Sequence, residues 1–93
     1  MGILDFFMGI QDPVEAEYRI SAATTQPSGQ PVAGCDMVGD VIGEGLKRTT
    51  VVHYSPFTSI AKWPHPGDVL PVLVDRANPD FMRIQWKNVP ERI

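Results

Sequence analysis

Hydrophobic and polar residues alternate with a period of two along most of this chain. Val14, Ala16, Tyr18, Ile20 and Ala22 interleave with Glu15, Glu17, Arg19, Ser21 and Ala23, the pattern of a strand with one face buried. Cys35, Met37, Gly39 and Val41 alternate with Asp36, Val38, Asp40 and Ile42. Apolar residues stand in both of those rows, which suits a bent strand, with Gly39 as the expected site of a bulge. Thr49-Thr50-Val51-Val52-His53-Tyr54 is β-branched and aromatic throughout and predicts a third strand. The turn Gly43-Glu44-Gly45 would join these two as a hairpin. Leu70, Val72 and Val74 form an inward row in 69–75, with Pro71 marking an edge or barrel mouth. Met82, Ile84 and Trp86 share one face of 81–87, opposite Phe81, Arg83, Gln85 and Lys87. Trp86 reads as a core anchor.

Punctuation between these runs is rich in proline and glycine. The stretch 24–34 holds Pro27, Ser28, Gly29 and Pro31 and reads as a loop. Ser55-Pro56-Phe57-Thr58 and 63–68 read as an irregular crossing, with a short helical turn at 59–62. Pro66-Gly67 is a strong turn signal, proline fixing one φ and glycine supplying a positive one. Asp12-Pro13 ends the N-terminal pattern and Arg76-Ala77-Asn78-Pro79-Asp80 separates the last two strands.

The first ten residues differ. Ile3, Phe6, Phe7 and Ile10 follow the i, i+3, i+4, i+7 spacing of one helical face. A turn or two is far too short to be stable alone, so 1–12 is expected to be an amphipathic segment docked as a lid or used as an interaction element. Residues 13–93 then form a single β domain. Five strands with turn-rich links predict a mostly β fold, a small barrel of OB-like or SH3-like form, with a β-sandwich as the alternative. Closure of the barrel would remove exposed sheet edges.

The stretch Trp63-Pro64-His65-Pro66-Gly67-Asp68-Val69-Leu70-Pro71-Val72-Leu73-Val74-Asp75, followed by Pro79, Ile84 and Trp86, resembles a pattern in small uncharacterised actinobacterial proteins. In those, Trp-Pro-x-Pro-Gly precedes Leu-Pro-Val-x-Val-Asp, a proline and an x-Ile-x-Trp ending. The resemblance implies a bacterial or phage-borne cytoplasmic β domain and attaches no chemistry to it.

Composition narrows the function classes. The 93 residues are 43% hydrophobic and 20% charged, with a net charge of −3, which suits one ordinary globular domain. No apolar run approaches the ~18 residues of a membrane span, and no basic start followed by an apolar stretch suggests a cleaved signal. Cys35 is the single cysteine, so packing alone must hold the fold, as in a reducing cytoplasm. The charges are uneven. Up to Leu46 seven acids face Arg19 alone, whereas from Lys47 onward seven bases face four acids. The expected outcome is neutralisation between neighbouring strands.

The sequence holds no catalytic signature. Cys35, His53 and His65 lack metal-ligand spacing, and no phosphate loop or nucleophile elbow is present. Asp36 and Asp40 on one strand would stand over ~13 Å apart. A non-enzyme without metal or cofactor is expected. Binding remains, in two forms. The first is a protein-interaction or assembly module, partnered by another protein or by itself, with Ile3, Phe6, Phe7 and Ile10 as the interaction segment. The second is a single-stranded nucleic-acid binder. There Phe81 would stack on bases beside Arg83 and Lys87, with Lys47, Arg48 and Lys62 nearby and Trp63 as an exposed loop contact. The acidic balance and scarce bases weigh against it.

Overall fold

The computed structural model describes residues 10–92. Five antiparallel strands form a nearly closed, barrel-shaped sheet. They are β1 (Pro13–Ala23), β2 (Val32–Ile42), β3 (Thr49–Ser59), β4 (Val69–Asp75) and β5 (Met82–Ile84). Their spatial order is β3-β2-β1-β4-β5. The first three make a meander, β4 returns to the free side of β1, and β5 pairs back onto β4. β3 and β5 do not pair with one another, so the sheet stays open along one seam.

The inward rows follow the alternation. Tyr18 and Ile20 of β1, Cys35, Met37 and Val41 of β2, Val51 of β3, Leu70, Val72 and Val74 of β4, and Met82 and Ile84 of β5 form one core. Period-two patterning thus marks the buried face on β1, β4 and β5, whereas on β3 the register with β2 decides it. The Tyr18 hydroxyl donates to the Val51 carbonyl at 2.7 Å, a polar bond inside that core. Burial, with smaller contributions from Asp40 and Cys35, pushes the Tyr18 hydroxyl up to about 12, so it stays a donor.

Several sequence expectations are corrected. Neither bulge is carried by the strand that holds Gly39, although one lies directly across from it. One lies at Ser21 of β1, where the register passes from Ile20↔Gly39 to Ala22↔Val38. Beyond it Ser21 and Ala22 are both exposed and Ala23 turns inward, so Ala22 leaves the buried row. The other lies on β3, where Pro56 and Phe57 together face Gly34, between the pairs Cys35↔Ser55 and Ala33↔Thr58. A bulge tolerates a proline inside a strand. That is why β3 runs on through the segment read as an irregular crossing. Gly39 serves close approach instead: a β-carbon there would lie 2.3 Å from the Arg19 carbonyl oxygen and 3.1 Å from Cε1 of Tyr18.

The last strand is shorter than the alternation predicts. β5 ends at Ile84, and Trp86–Asn88 form a 3-10 turn in which Trp86 is half-buried against the core. A 3-10 turn also occupies Ile60–Lys62, within the predicted helical turn. Gly67 takes φ +94° in the Pro66-Gly67 turn, the conformation that favours glycine.

The chain enters the barrel tied down. Ile10 is fully buried. The Gln11 and Asp12 amides both donate to Oδ1 of Asp75 at 3.0 Å, and the Asn78 amide donates to Oδ2 at 3.1 Å. Those backbone bonds hold the Asp75 carboxyl below the usual range, because hydrogen bonds to the charged form favour it. Arg76 completes the clasp, pairing with Asp12 at 2.9 Å.

Candidate interaction face

The outer surface of β2 and β3 is the most unusual part of the molecule. Val52 is 74% exposed, Tyr54 58%, Phe57 83% and Val32 43%. Single exposed apolar residues are ordinary on protein surfaces, whereas contiguous ones mark contact sites. These are contiguous. Ala22, Val38 and Val52 lie in register across β1, β2 and β3. The next row holds Asp36 opposite Tyr54, and the bulge adds Phe57 beyond them. On β3, Thr50, Val52, Tyr54 and Phe57 are thus exposed.

The geometry of this face is set by its neighbours. Tyr54 lies over Gly34, where a β-carbon would meet the phenol oxygen at 2.4 Å and two ring carbons at 3.1 Å. Glycine there lets the ring lie close to β2. Thr24 anchors the row: its amide donates to the Asp36 carbonyl at 2.9 Å, and its hydroxyl accepts from the Asp36 amide at 2.9 Å. The two acids of β2 on this side differ. Asp40 accepts from the Thr50 hydroxyl at 2.8 Å and from Arg48 at 2.9 Å. Those two bonds hold its carboxyl below the usual range. Asp36 makes no ion pair among the described residues.

β3 is also an edge. Its backbone pairs with β2 on one side. Among the described residues, no backbone-to-backbone hydrogen bond leaves Thr49–Ser59 for any element but β2; of its carbonyls, that of Val51 accepts from the Tyr18 hydroxyl and that of Ser55 from the Thr58 hydroxyl.

The residues singled out in the sequence are scattered. Trp63, expected as an exposed contact, is fully buried. Its indole N–H donates to the Thr24 carbonyl at 2.8 Å, and its own carbonyl accepts from Arg92 Nε at 3.2 Å. It belongs to the core cluster, and the bond to Thr24 satisfies its one polar atom, as a buried indole requires. Arg83 and Lys87 do come together with Trp86 around a shallow depression of about 330 Å³. Phe81 is exposed but is not part of that lining. Of the bases expected nearby, Lys62 bonds the Trp86 carbonyl at 2.7 Å, whereas Arg48 is held at Asp40 on the far hairpin. Of the N-terminal segment, Ile10 is buried in the domain, and Ile3, Phe6 and Phe7 lie outside the described residues.

Two ionisable groups are shifted toward their uncharged forms. Cys35 is buried, and burial pushes its thiol up. Burial lowers His53, favouring the neutral ring. A second depression, about 280 Å³, is lined by Lys62, Asp68, Leu70, Val89, Glu91 and Arg92 among others. There Arg92 is ion-paired with Asp68. No three His, Cys, Asp or Glu side chains converge as a metal site among the described residues. No helix among them is long and apolar enough to cross a membrane. Compared with protein-family models, curated proteins and solved structures, the chain gives no significant match.

The face on β2 and β3 was not visible in the sequence as a site. Val51 and Val52 are adjacent, so both rows of β3 looked equally apolar. Only the register with β2 decides which of them faces out.

Proposed function

We propose that this domain is a non-catalytic protein-interaction module that docks a partner protein on the outer face of β2 and β3. The observation that carries the reading is the contiguous exposure of Val52, Tyr54 and Phe57 beside Val32. Aromatic residues in such a setting are the anchors of protein interfaces. The strand order β3-β2-β1-β4-β5 suits an OB-like barrel opened between its third and fifth strands. In that architecture the second and third strands form the face that takes oligonucleotides and oligosaccharides, so the strand order marks the face and not the class of its ligand. A non-catalytic role fits a buried thiol biased to its uncharged form, since nucleophilic sulfur requires the thiolate. A reducing cytoplasm suits the single buried thiol.

The competing reading is single-stranded nucleic acid. Tyr54 and Phe57 would serve for stacking, but the same face carries Asp36 and Asp40, and Arg48 is already bound to Asp40. Affinity for nucleic acid rests on phosphate neutralisation, which favours the protein partner.

The test is selection of peptides from a random heptapeptide library on the full chain, followed by amide-shift mapping of the winners. Shifts at Val32, Val52, Tyr54 and Phe57 are expected, with affinity falling about tenfold or more in Tyr54→Ser and Phe57→Ser. Both variants should keep the parent melting temperature, because the replaced side chains are exposed. Winners that map to Arg83 and Lys87 instead would overturn the reading. So would a short DNA strand that binds at low salt and is released by salt.

A further inference from the structure

We propose that the open edge of β3, over Thr49–Ser55, takes up an extended segment of the partner as a sixth strand, and that this segment carries an arginine or lysine which lies over Tyr54 beside Asp36. This inference rests on the docking reading above and goes beyond it by naming the binding mode and the partner's chemistry.

The backbone argument comes first. An edge strand presents a row of N–H and C=O groups that templates further pairing, and proteins ordinarily blunt such edges with charges, prolines or bulges. β3 has two of these devices, Pro56 and the bulge at Phe57, and both sit at its C-terminal end. The preceding seven residues, Thr49-Thr50-Val51-Val52-His53-Tyr54-Ser55, include no Lys, Arg, Asp, Glu or Pro. They are rich in β-branched and aromatic residues, which favour pairing. The blunted end fixes where an added strand must stop.

Side chains then select the occupant. A strand added to this edge would place its outward residues about 5 Å from the β-carbons of Thr50, Val52 and Tyr54. Tyr54 already rests against Gly34, so its exposed face is a ready platform for a cation. Asp36 stands directly across from Tyr54 on β2, exposed and with no ion pair among the described residues. A long basic side chain crossing the Tyr54 ring would end at that carboxylate. Asp40 offers no such vacancy, since Arg48 and Thr50 hold it. A second copy of β3 is the poorer occupant: from Thr49 to Ser59 it carries no Lys or Arg to meet Asp36, and its His53 is held toward the neutral ring by burial.

The experiment titrates the labelled full chain with pools of acetylated heptapeptides in which Val, Ile, Thr and Tyr vary around a fixed central residue. One pool fixes Arg, another Glu. The Arg pool is expected to shift the amides of residues 49–55, to slow their hydrogen exchange, and to bind about tenfold more tightly than the Glu pool. Methylating alternate backbone nitrogens of the Arg pool should abolish binding, because strand addition needs those donors. Asp36→Asn should bring the Arg and Glu pools together without changing the melting temperature. Equal binding of the two pools to the wild-type chain would overturn the cation, and undiminished binding of the methylated pool would overturn the added strand. In either case docking on the face survives if library-selected peptides still map there. A mass that rises with concentration and falls back in Tyr54→Ser would assign the edge to a second copy and overturn the proposal.

Discussion

Replacing Gly39 with alanine separates two opposite expectations for a glycine inside a strand. In open space the change stabilises by about 0.4–1 kcal/mol, because alanine restricts the unfolded chain. Here the new methyl would lie 2.3 Å from the Arg19 carbonyl oxygen and 2.9 Å from its carbon. Both are backbone atoms of the neighbouring strand, so no rotamer change relieves the contact. Restoring ordinary separation moves β1 from β2 by roughly 1 Å and stretches the ladder around Arg19↔Asp40 and Ile20↔Gly39. Overpacking of this kind costs about 1–3 kcal/mol. The net expectation for Gly39→Ala is a loss of about 1 kcal/mol, taking the overpacking range against the alanine gain. In a domain of this size that is a fall in Tm of about 4–8 °C.

Urea unfolding followed by tryptophan emission reads the change directly, with the slope confirming that the compactness of the end states is kept. Tyr18 gives the internal control, since its ring also lies against Gly39 while its hydroxyl bonds Val51. Tyr18→Phe should cost about 1–3 kcal/mol by leaving a buried carbonyl unpaired. The double variant should then fall short of the sum by more than ~0.5 kcal/mol, because alanine at position 39 displaces the ring that makes the bond. A Gly39→Ala protein as stable as the parent, or more so, would refute the close approach of β1 and β2.

Two further predictions concern stability. Trp63→Phe removes the indole donor to Thr24 and part of a fully buried side chain; it should lower stability by about 1–3 kcal/mol, and a thermal melt by circular dichroism that coincides with the parent would contradict this placement. Asp75 has a lowered pKa in the folded protein, caused by the Asp12 and Gln11 amides, so between that value and the unfolded ~3.9 the unfolded chain binds more protons. Its contribution is therefore full above that window and lost as pH falls through the folded value; Asp75→Asn should be less stable at neutral pH and should flatten the acid limb of a urea-midpoint series, whereas an acid limb parallel to the parent's would refute the clasp.

Much of this fold is legible because 14–22, 69–75 and 81–87 carry a clear period-two alternation, while β-branched and aromatic content marks the third strand without fixing its buried face. The rows through Tyr18, Val72 and Ile84 came from the alternation alone. Turn chemistry added the Pro66-Gly67 and Gly43–Gly45 corners. Three features were hidden for physical reasons. A bulge has no residue signature of its own, so Pro56 seemed to end β3 when it was accommodated inside it. Gly39 looked like a bulge because a strand glycine signals either a bulge or a close approach, and only the neighbouring strand decides. Trp63 looked exposed because it stands among prolines, yet its hydrogen-bond partner Thr24 is distant in sequence. The interaction face was hidden for the same reason as the bulge: exposure of Val52 over Val51 depends on register, which is a property of two strands.

The charge division of the chain resolves in space, and the way it does so shapes the surface. Arg76 pairs with Asp12, and Arg48 with Asp40, so bases of the second half meet acids of the first. Exposed ion pairs of this type contribute little to stability, but they decide which charges remain to be recognised. On the outer side of β2 they remove Asp40 and leave Asp36. That carboxylate stands beside a tyrosine laid over a glycine and next to a strand whose edge is unpaired. Apolar exposure alone would make this a sticky surface with little discrimination, since area without directional groups does not set specificity. An unpaired backbone edge adds direction, and one unmatched acid adds a sign. Together they ask for an extended, cationic segment rather than any apolar surface.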